Sequence, residues 1–302
     1  MKEFKIRFHS GLGDCFRMLT EQPAIKLVNE LHGLKIHWVY DQAGLASSPT
    51  RNSNYPLHLV LYEIFQNVDF LNPVSQEEYT NLQVPELTNW KVDYDPNNQL
   101  RGLYPGIESP GFDIPISPAE MRQVRHLIGQ YNLSFCVQLT GKDERKRYST
   151  DNYITLFNLI LDKYPDSSIL LIDTPDRPVD KTLLFDQRII DLTSIFTLTQ
   201  QIELIRLADY LIAPDSYSKY VRRWVNGKQT ILCTTLDYIS NKSLLSGCFG
   251  DYRKPNTAGL IFNPDVKLVG ASYSENLDIV EIVDNINNIR PDEIFNSINL
   301  KV

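Results

Sequence analysis

No two of the four cysteines, Cys15, Cys136, Cys233 and Cys248, stand at Cys-x-x-Cys spacing, which argues against a structural zinc site or a redox dithiol. Three of them lie in or beside apolar runs and read as small core residues. No apolar run approaches the ~18 residues of a membrane-spanning helix. The chain opens on a charged, strand-like segment, Lys2 to His9, rather than on a signal peptide, so a reducing, cytoplasmic setting is expected. The histidines His9, His32, His37, His58 and His126 lack metal-ligand spacing, and neither a metal nor a cofactor is expected. Nucleotide fingerprints are missing too. A dinucleotide-binding turn needs a third glycine where Phe16 stands, and a P-loop needs Ser or Thr where Asp143 follows Gly141-Lys142. No Gly-x-Ser-x-Gly elbow occurs, which disfavours α/β-hydrolase chemistry.

What remains is a soluble-looking composition: 302 residues, 42% hydrophobic and 22% charged, enough for two domains with sizeable cores. The net charge of -7, from 30 basic and 37 acidic residues, gives no support for a nucleic-acid partner.

Two matched turns stand out. His9-Ser10-Gly11-Leu12-Gly13-Asp14 and Ala213-Pro214-Asp215-Ser216 each follow an apolar run and precede a helix-like stretch. Each places an acid near a helix start at the carboxyl end of an expected parallel strand. Ligands of open α/β sheets bind there, and helix starts favour anions such as phosphate. The rest of the chain alternates in the same way. Strands are expected at Phe4–His9, Lys35–Tyr40, Val68–Leu71, Leu133–Leu139, Ser168–Asp173, Ile189–Leu192, Tyr210–Ala213, Thr230–Thr234 and Leu260–Phe262. Helices are expected at Cys15–Leu31, Asp151–Tyr164, Leu198–Ala208, Ser216–Asn226 and Asn276–Ile289. This order predicts an α/β fold of parallel sheets with right-handed crossovers. The stretch Val92–Pro118, rich in Pro, Gly, Asn and Asp, breaks the rhythm as a long connection. Ser117-Pro118-Ala119-Glu120 then carries the marks of a helix start. Together they divide the chain into domains 1–116 and 117–302.

The segment Ser10-Gly11-Leu12-Gly13-Asp14, followed by an amphipathic stretch containing Pro23, resembles the opening of the bacterial lipopolysaccharide heptosyltransferases, glycosyltransferase family 9. Asp191-Leu192-Thr193, Leu198-Thr199 and the run Leu204 to Ser216 resemble that family's second signature. The resemblance implies two Rossmann-like domains facing a central cleft (GT-B) and metal-independent, inverting sugar transfer. Residues 1–116 would be the acceptor-side domain and 117–302 the nucleotide-sugar donor domain, with the C-terminal helix packing back on the first. The chain departs from the family at Tyr217 and Tyr220, where Gly and His are usual, and in its Lys/Arg-rich helix Ser216–Asn226. These changes imply a remodelled donor pocket.

Inverting transfer needs a base for the acceptor hydroxyl, and a carboxylate also favours a cationic sugar transition state. The resemblance puts that acid at Asp14, which would equally suit a helix cap. Gly11 and Gly13 let the backbone turn and approach a ligand, and His9 ends the first strand. A nucleoside-diphosphate leaving group gains negative charge, and without a metal Lys or Arg must stabilise it. By similarity to the family, Lys146 matches the donor-phosphate lysine and Thr140 a hydroxyl beside it. Lys142, Arg145 and Arg147 of the same run remain open, as does a simple solvated loop. Ser216 suits an N-cap whose free N–H groups could hold the diphosphate, and Asp215 resembles the family's donor-sugar contact. Lys219, Arg222 and Arg223 share one helix face, to bind donor phosphate, steer an anionic acceptor or simply meet solvent. Arg51, Asn52, Arg101 and Tyr104 are acceptor-side candidates.

The expected activity is transfer of a sugar from a nucleotide-diphosphate donor to a hydroxyl, the resemblance favouring a surface glycan. Alternatives are an epimerase or hydrolase on the same scaffold, a catalytically silent glycan-binding or assembly protein, and transfer onto a hydroxylated DNA base through a local basic groove.

Overall fold

The computed structural model describes residues 2–7, 34–41, 71–74, 116–141, 146–173, 177–214, 216–223, 225, 227–232, 266–273 and 279–298. The chain divides into two compact units, Met1–Pro115 and Ile116–Val302. In the first, β1 (Lys2–Arg7), β2 (Leu34–Asp41) and β3 (Leu71–Val74) form a parallel sheet in that order. β3 lies just beyond the expected Val68–Leu71 and carries Pro73 opposite Tyr40. A proline is tolerated at the margin of a sheet because its missing N–H need not serve a second neighbour. The expected helix Cys15–Leu31 lies outside the described residues.

The second unit opens with α1 (Pro118–Ile128). The Ser117 hydroxyl accepts from the Glu120 N–H at 3.2 Å, and the Glu120 carboxylate accepts from the Ser117 N–H at 3.1 Å. Two otherwise orphaned donors are thus satisfied reciprocally. Then come β4 (Leu133–Gln138), α2 (Thr150–Lys163), β5 (Ser167–Ile172), β6 (Ile189–Asp191), α3 (Leu198–Leu207), β7 (Tyr210–Pro214), α4 (Tyr217–Arg223), β8 (Gln229–Leu232) and β9 (Val266–Val269). All six strands are parallel, in the order β6-β5-β4-β7-β8-β9. Numbered within the unit this is 3-2-1-4-5-6, the doubly wound arrangement, whose strand order reverses between β4 and β7.

The end of the chain differs from the sequence reading. In place of a helix over Asn276–Ile289 there is an antiparallel pair, β10 (Ala271–Tyr273) with β11 (Ile279–Ile282), then a short 3₁₀ turn at Ile286–Asn288. Ile279, Val280 and Ile282 are β-branched, so their apolar spacing also fits a strand. Gly270, with φ of 84°, turns the chain from β9 into β10. The last described helix is α5 (Pro291–Ser297), which packs on α2 and β9 of its own unit.

Side chains alternate across each strand. Phe135, Val137, Leu139, Ile169, Leu171, Tyr210 and Ile212 join Tyr153, Phe157 and Ile160 of α2 and Ile294 of α5 in one apolar core. Tyr148 closes its rim by donating from its hydroxyl to the Ile289 carbonyl at 2.7 Å. The opposite face is more polar, carrying Ser134, Gln138, Ser168 and Gln229, all buried. Cys136 lies among them, fully buried, and burial pushes its thiol up to about 12. That is the inert core role expected of it.

α4 joins this face through Arg222, which is 4% exposed. Its guanidinium donates to the carbonyls of Ile205 (3.0 Å), Arg206 (3.0 Å) and Asp209 (2.9 Å), and its Nε to that of Lys228 (3.2 Å). The carbonyls left over at the end of α3 are thereby capped by a cation, which also suits the helix dipole. A methyl group at Gly227 would run into the Arg222 guanidinium, so glycine there makes room for the clamp. At the far edge, Arg188 grips Asp186 in a fork (Nε–Oδ1 3.0 Å, NH2–Oδ2 2.7 Å) and donates to the carbonyls of Leu161 and Pro165 at the end of α2.

Two outcomes follow. Gly227→Ala should displace the guanidinium and strand buried carbonyls, lowering urea-unfolding stability by roughly 2–3 kcal/mol. Its cost should not add to that of Arg222→Ala, because both remove the same clamp. The hydrogen bonds from Arg188 lower the Asp186 carboxyl from 3.8 to about 2. A depressed acid stabilises the fold above its unfolded value and loses that contribution as pH falls through the folded one. Wild type should therefore exceed Asp186→Asn in urea midpoint near neutrality, and the gap should close on acidification from about pH 4 toward about pH 2.

Candidate functional site

The crevice of a doubly wound sheet opens where neighbouring connections leave in opposite directions, at the carboxyl ends of β4 and β7. Polar groups converge there. Gln138, the last residue of β4, is 4% exposed. Its Nε2 donates to the Thr140 carbonyl at 2.8 Å and to Ser216 Oγ at 2.9 Å. A carbonyl can only accept, so the Thr140 bond fixes which end of the amide is nitrogen. Oε1 is buried with no partner. An unpaired buried acceptor costs about 1–3 kcal/mol, so the two Nε2 bonds are held at the expense of that oxygen.

The turn after β4 is braced from three sides. Thr140 Oγ1 donates to Asp173 Oδ2 at 2.6 Å, at the carboxyl end of β5. Arg177 donates from NH1 into the same hydroxyl and to the Gly141 carbonyl at 2.6 Å. From the apolar face, the Tyr153 hydroxyl donates to the Leu139 carbonyl at 3.0 Å, and burial raises that phenol well above its ordinary range. A Cβ on Gly141 would come within 2.9 Å of Lys146 Cβ, so the glycine leaves room for Lys146 against it.

Deeper in, Gln201 of α3 donates from Nε2 to the Asp173 carbonyl at 3.1 Å and accepts from the Tyr217 hydroxyl at 3.2 Å. Tyr217 is 6% exposed. The start of α4, the middle of α3 and the end of β5 are thus joined by side-chain bonds.

Of the residues named from sequence, Lys146 lies against Gly141, while Thr140 and Ser216 come together around the ends of β4 and β7 through Gln138. Thr140 does so with its only proton committed to Asp173, so it positions the turn and has no proton left to donate to a phosphate. Arg147 is exposed, and its carbonyl accepts from Asn287 Nδ2 at 3.3 Å. Lys219 departs from the expected solvent-facing row. It is fully buried, with Nζ 4.8 Å from the Tyr220 ring centroid, a cation–π placement. Arg222 likewise serves the interior. Lys219 and Arg222 are both buried because α4 packs against its neighbours along residues 217–222, so i, i+3 spacing does not separate wet from dry there. Tyr220 is 3% exposed. His9, Gly11, Gly13, Asp14, Arg51, Asn52, Arg101, Tyr104, Lys142, Arg145 and Asp215 lie outside the described residues.

Sequence reasoning passed over Gln138, Asp173 and Arg177. Gln138 was hidden inside an apolar strand, although a lone amide at a strand's carboxyl end is itself a signal. Arg177 follows Pro175-Asp176 and precedes Pro178 in the sequence, a composition that reads as an ordinary loop, and only its hydrogen bonds to Thr140 and Gly141 place it beside the turn after β4. Among the described residues, no cluster of His, Cys, Asp and Glu could hold a metal ion, and no helix is long and apolar enough to cross a membrane.

No protein-family model matches the chain, and no curated protein matches it in sequence. Solved structures do resemble it. The ADP-heptose LPS heptosyltransferase II of E. coli shares 12% identity at a TM-score of 0.53, over 98% of this chain and 97% of that one. A family 9 glycosyltransferase of Veillonella parvula shares 11% at 0.52, over 98% and 95%. The iron-containing dodecameric glycosyltransferase TibC of enterotoxigenic E. coli shares 11% at 0.53, over 98% and 74%. At these identities the likeness is one of fold: the chain has the α/β fold that these heptosyltransferases and family 9 glycosyltransferases share.

Proposed function

We propose that the protein is a glycosyltransferase that moves a sugar from a nucleoside-diphosphate donor to a hydroxyl group, with inversion, without a metal, and with its two units arranged as in GT-B enzymes. The observation that carries this reading is the polar convergence of Gln138, Thr140 and Ser216 at the reversal point of a 3-2-1-4-5-6 sheet, where doubly wound folds take their ligands. The fold likeness to enzymes described with ADP-heptose supports a sugar nucleotide in that place.

In the proposed reaction the acceptor oxygen attacks the sugar C1 from the face opposite the diphosphate. The new C1–O bond forms as the bond from C1 to the diphosphate oxygen breaks. Asp14 takes the acceptor's proton, and the nucleoside diphosphate leaves with the bonding electron pair. Lys146 offsets the charge growing on that diphosphate, and the Ser216 hydroxyl donates to it. Thr140, Asp173 and Arg177 hold the turn that presents Lys146. The acceptor we propose is a surface glycan. A hexose, heptose or pentose could each be the sugar, and the preferred nucleotide is the first property to measure.

Thermal-shift series with ADP, UDP, GDP and CMP, alone and as their sugars, should show one nucleotide raising the melting temperature selectively. Asp14→Asn should then reduce sugar transfer by about 10²-fold or more, while that nucleotide's dissociation constant stays at the wild-type value. Full turnover by the variant would remove Asp14 from the mechanism. Wild-type protein stabilised by none of the nucleotides would leave a catalytically silent assembly protein as the better account.

A further inference from the structure

We propose that Gln138 is a positioning residue: its carboxamide ties the turn after β4 to the start of α4 and, by doing so, aims the Ser216 proton at the ligand. The inference rests on the sugar-nucleotide reading above and deepens it by assigning a residue that acts through another.

The argument is one of hydrogen-bond accounting. A serine hydroxyl has one proton to give and lone pairs to accept with. Ser216 Oγ accepts from Gln138 Nε2 at 2.9 Å, and it donates to no described group. The same Nε2 donates to the Thr140 carbonyl at 2.8 Å. Because that carbonyl cannot donate, the amide cannot rotate to offer Oε1 to Ser216 without losing the Thr140 bond. Ser216 is therefore held as an acceptor toward Gln138, and its proton is directed away from the protein bond. An anionic oxygen is the partner such a proton suits best, since hydrogen bonds to ionised acceptors are the shorter and stronger ones. Gln138 is itself buried, so it sets the hydroxyl's orientation without standing in the ligand's way. Its unpaired Oε1 shows that the amide is placed for its nitrogen.

Glutamine is required on this account. Glutamate has nearly the same shape but, when ionised, only accepts. It would lose the Thr140 bond and draw the Ser216 proton to itself. Leucine fills similar space and ties nothing.

The test is a double-mutant cycle read by calorimetric titration of ADP, UDP and GDP, with Gln138→Leu, Gln138→Glu, Ser216→Ala and the two pairings of a Gln138 change with Ser216→Ala. For the diphosphate that wild type binds, each single change should weaken affinity about tenfold. Each pair should lose clearly less than the product of its two single losses, because much of what Gln138 does passes through a hydroxyl that is no longer there. Melting temperatures of the unliganded variants identify any that have lost the fold. Gln138→Glu, close in shape to the wild type, keeps the cycle usable if Gln138→Leu has. Losses that multiply to about a hundredfold in the pairs, or wild-type affinity in Gln138→Glu, would overturn the positioning role while leaving the sugar-nucleotide reading in place. Wild type that binds none of the diphosphates would overturn both.

Discussion

In a parallel sheet buried on both faces, the strand interiors are mostly apolar because an unpaired buried polar group is costly, and polar chemistry is pushed toward the strand ends. In the second unit this constraint acts most strongly on β4 and β7. They are the central pair, and their connections leave toward opposite faces, so the turns beyond them are not covered by a shared crossover. Among the described residues, the turn after β4 and the start of α4 lie side by side without backbone pairing between them. The amide of Gln138 supplies that missing link. Asp173 and Arg177, from the end of β5, stiffen the same turn from the other side.

The second unit's elements were legible because their signals are local. β4 and β5 are short, largely continuous apolar runs, as sandwiched parallel strands tend to be, and they fall at Leu133–Gln138 and Ser167–Ile172, within a residue of where the pattern put them. The Ser117 capping box marked the start of α1 to the residue. The end of the chain was misread because β-branched residues at mixed spacing satisfy both periods. What decided Ile279–Ile282 was an antiparallel partner, Ala271–Tyr273, and no local pattern reveals a partner.

The candidate site was legible at the level of turns and much less at the level of roles. Thr140 and Ser216 stand at strand ends, and strand ends can be found by eye. Which hydroxyl keeps a proton for a ligand depends on neighbours distant in sequence: Asp173 for Thr140 and Gln138 for Ser216. The sequence pattern treated the two hydroxyls alike. The bonding separates them, since Thr140 gives its proton to a carboxylate and Ser216 receives one from an amide.

α4 shows the same principle in a different form. Its sequence, Tyr217-Ser218-Lys219-Tyr220-Val221-Arg222-Arg223, looks like a wet helix with a basic stripe. Small residues let a helix sit close to a sheet through backbone proximity. Large ones must find another way to fill and satisfy the space. Here Tyr217 reaches Gln201, and Arg222 threads past Gly227 to cap α3. Lys219 lies against the Tyr220 ring. The helix that carries Ser216 at its entrance is thus fixed by long side chains anchored at their tips. Its position depends on α3 and on Lys228 before β8, so Tyr217 and Tyr220 act through the seat of the helix, with both rings buried beneath it.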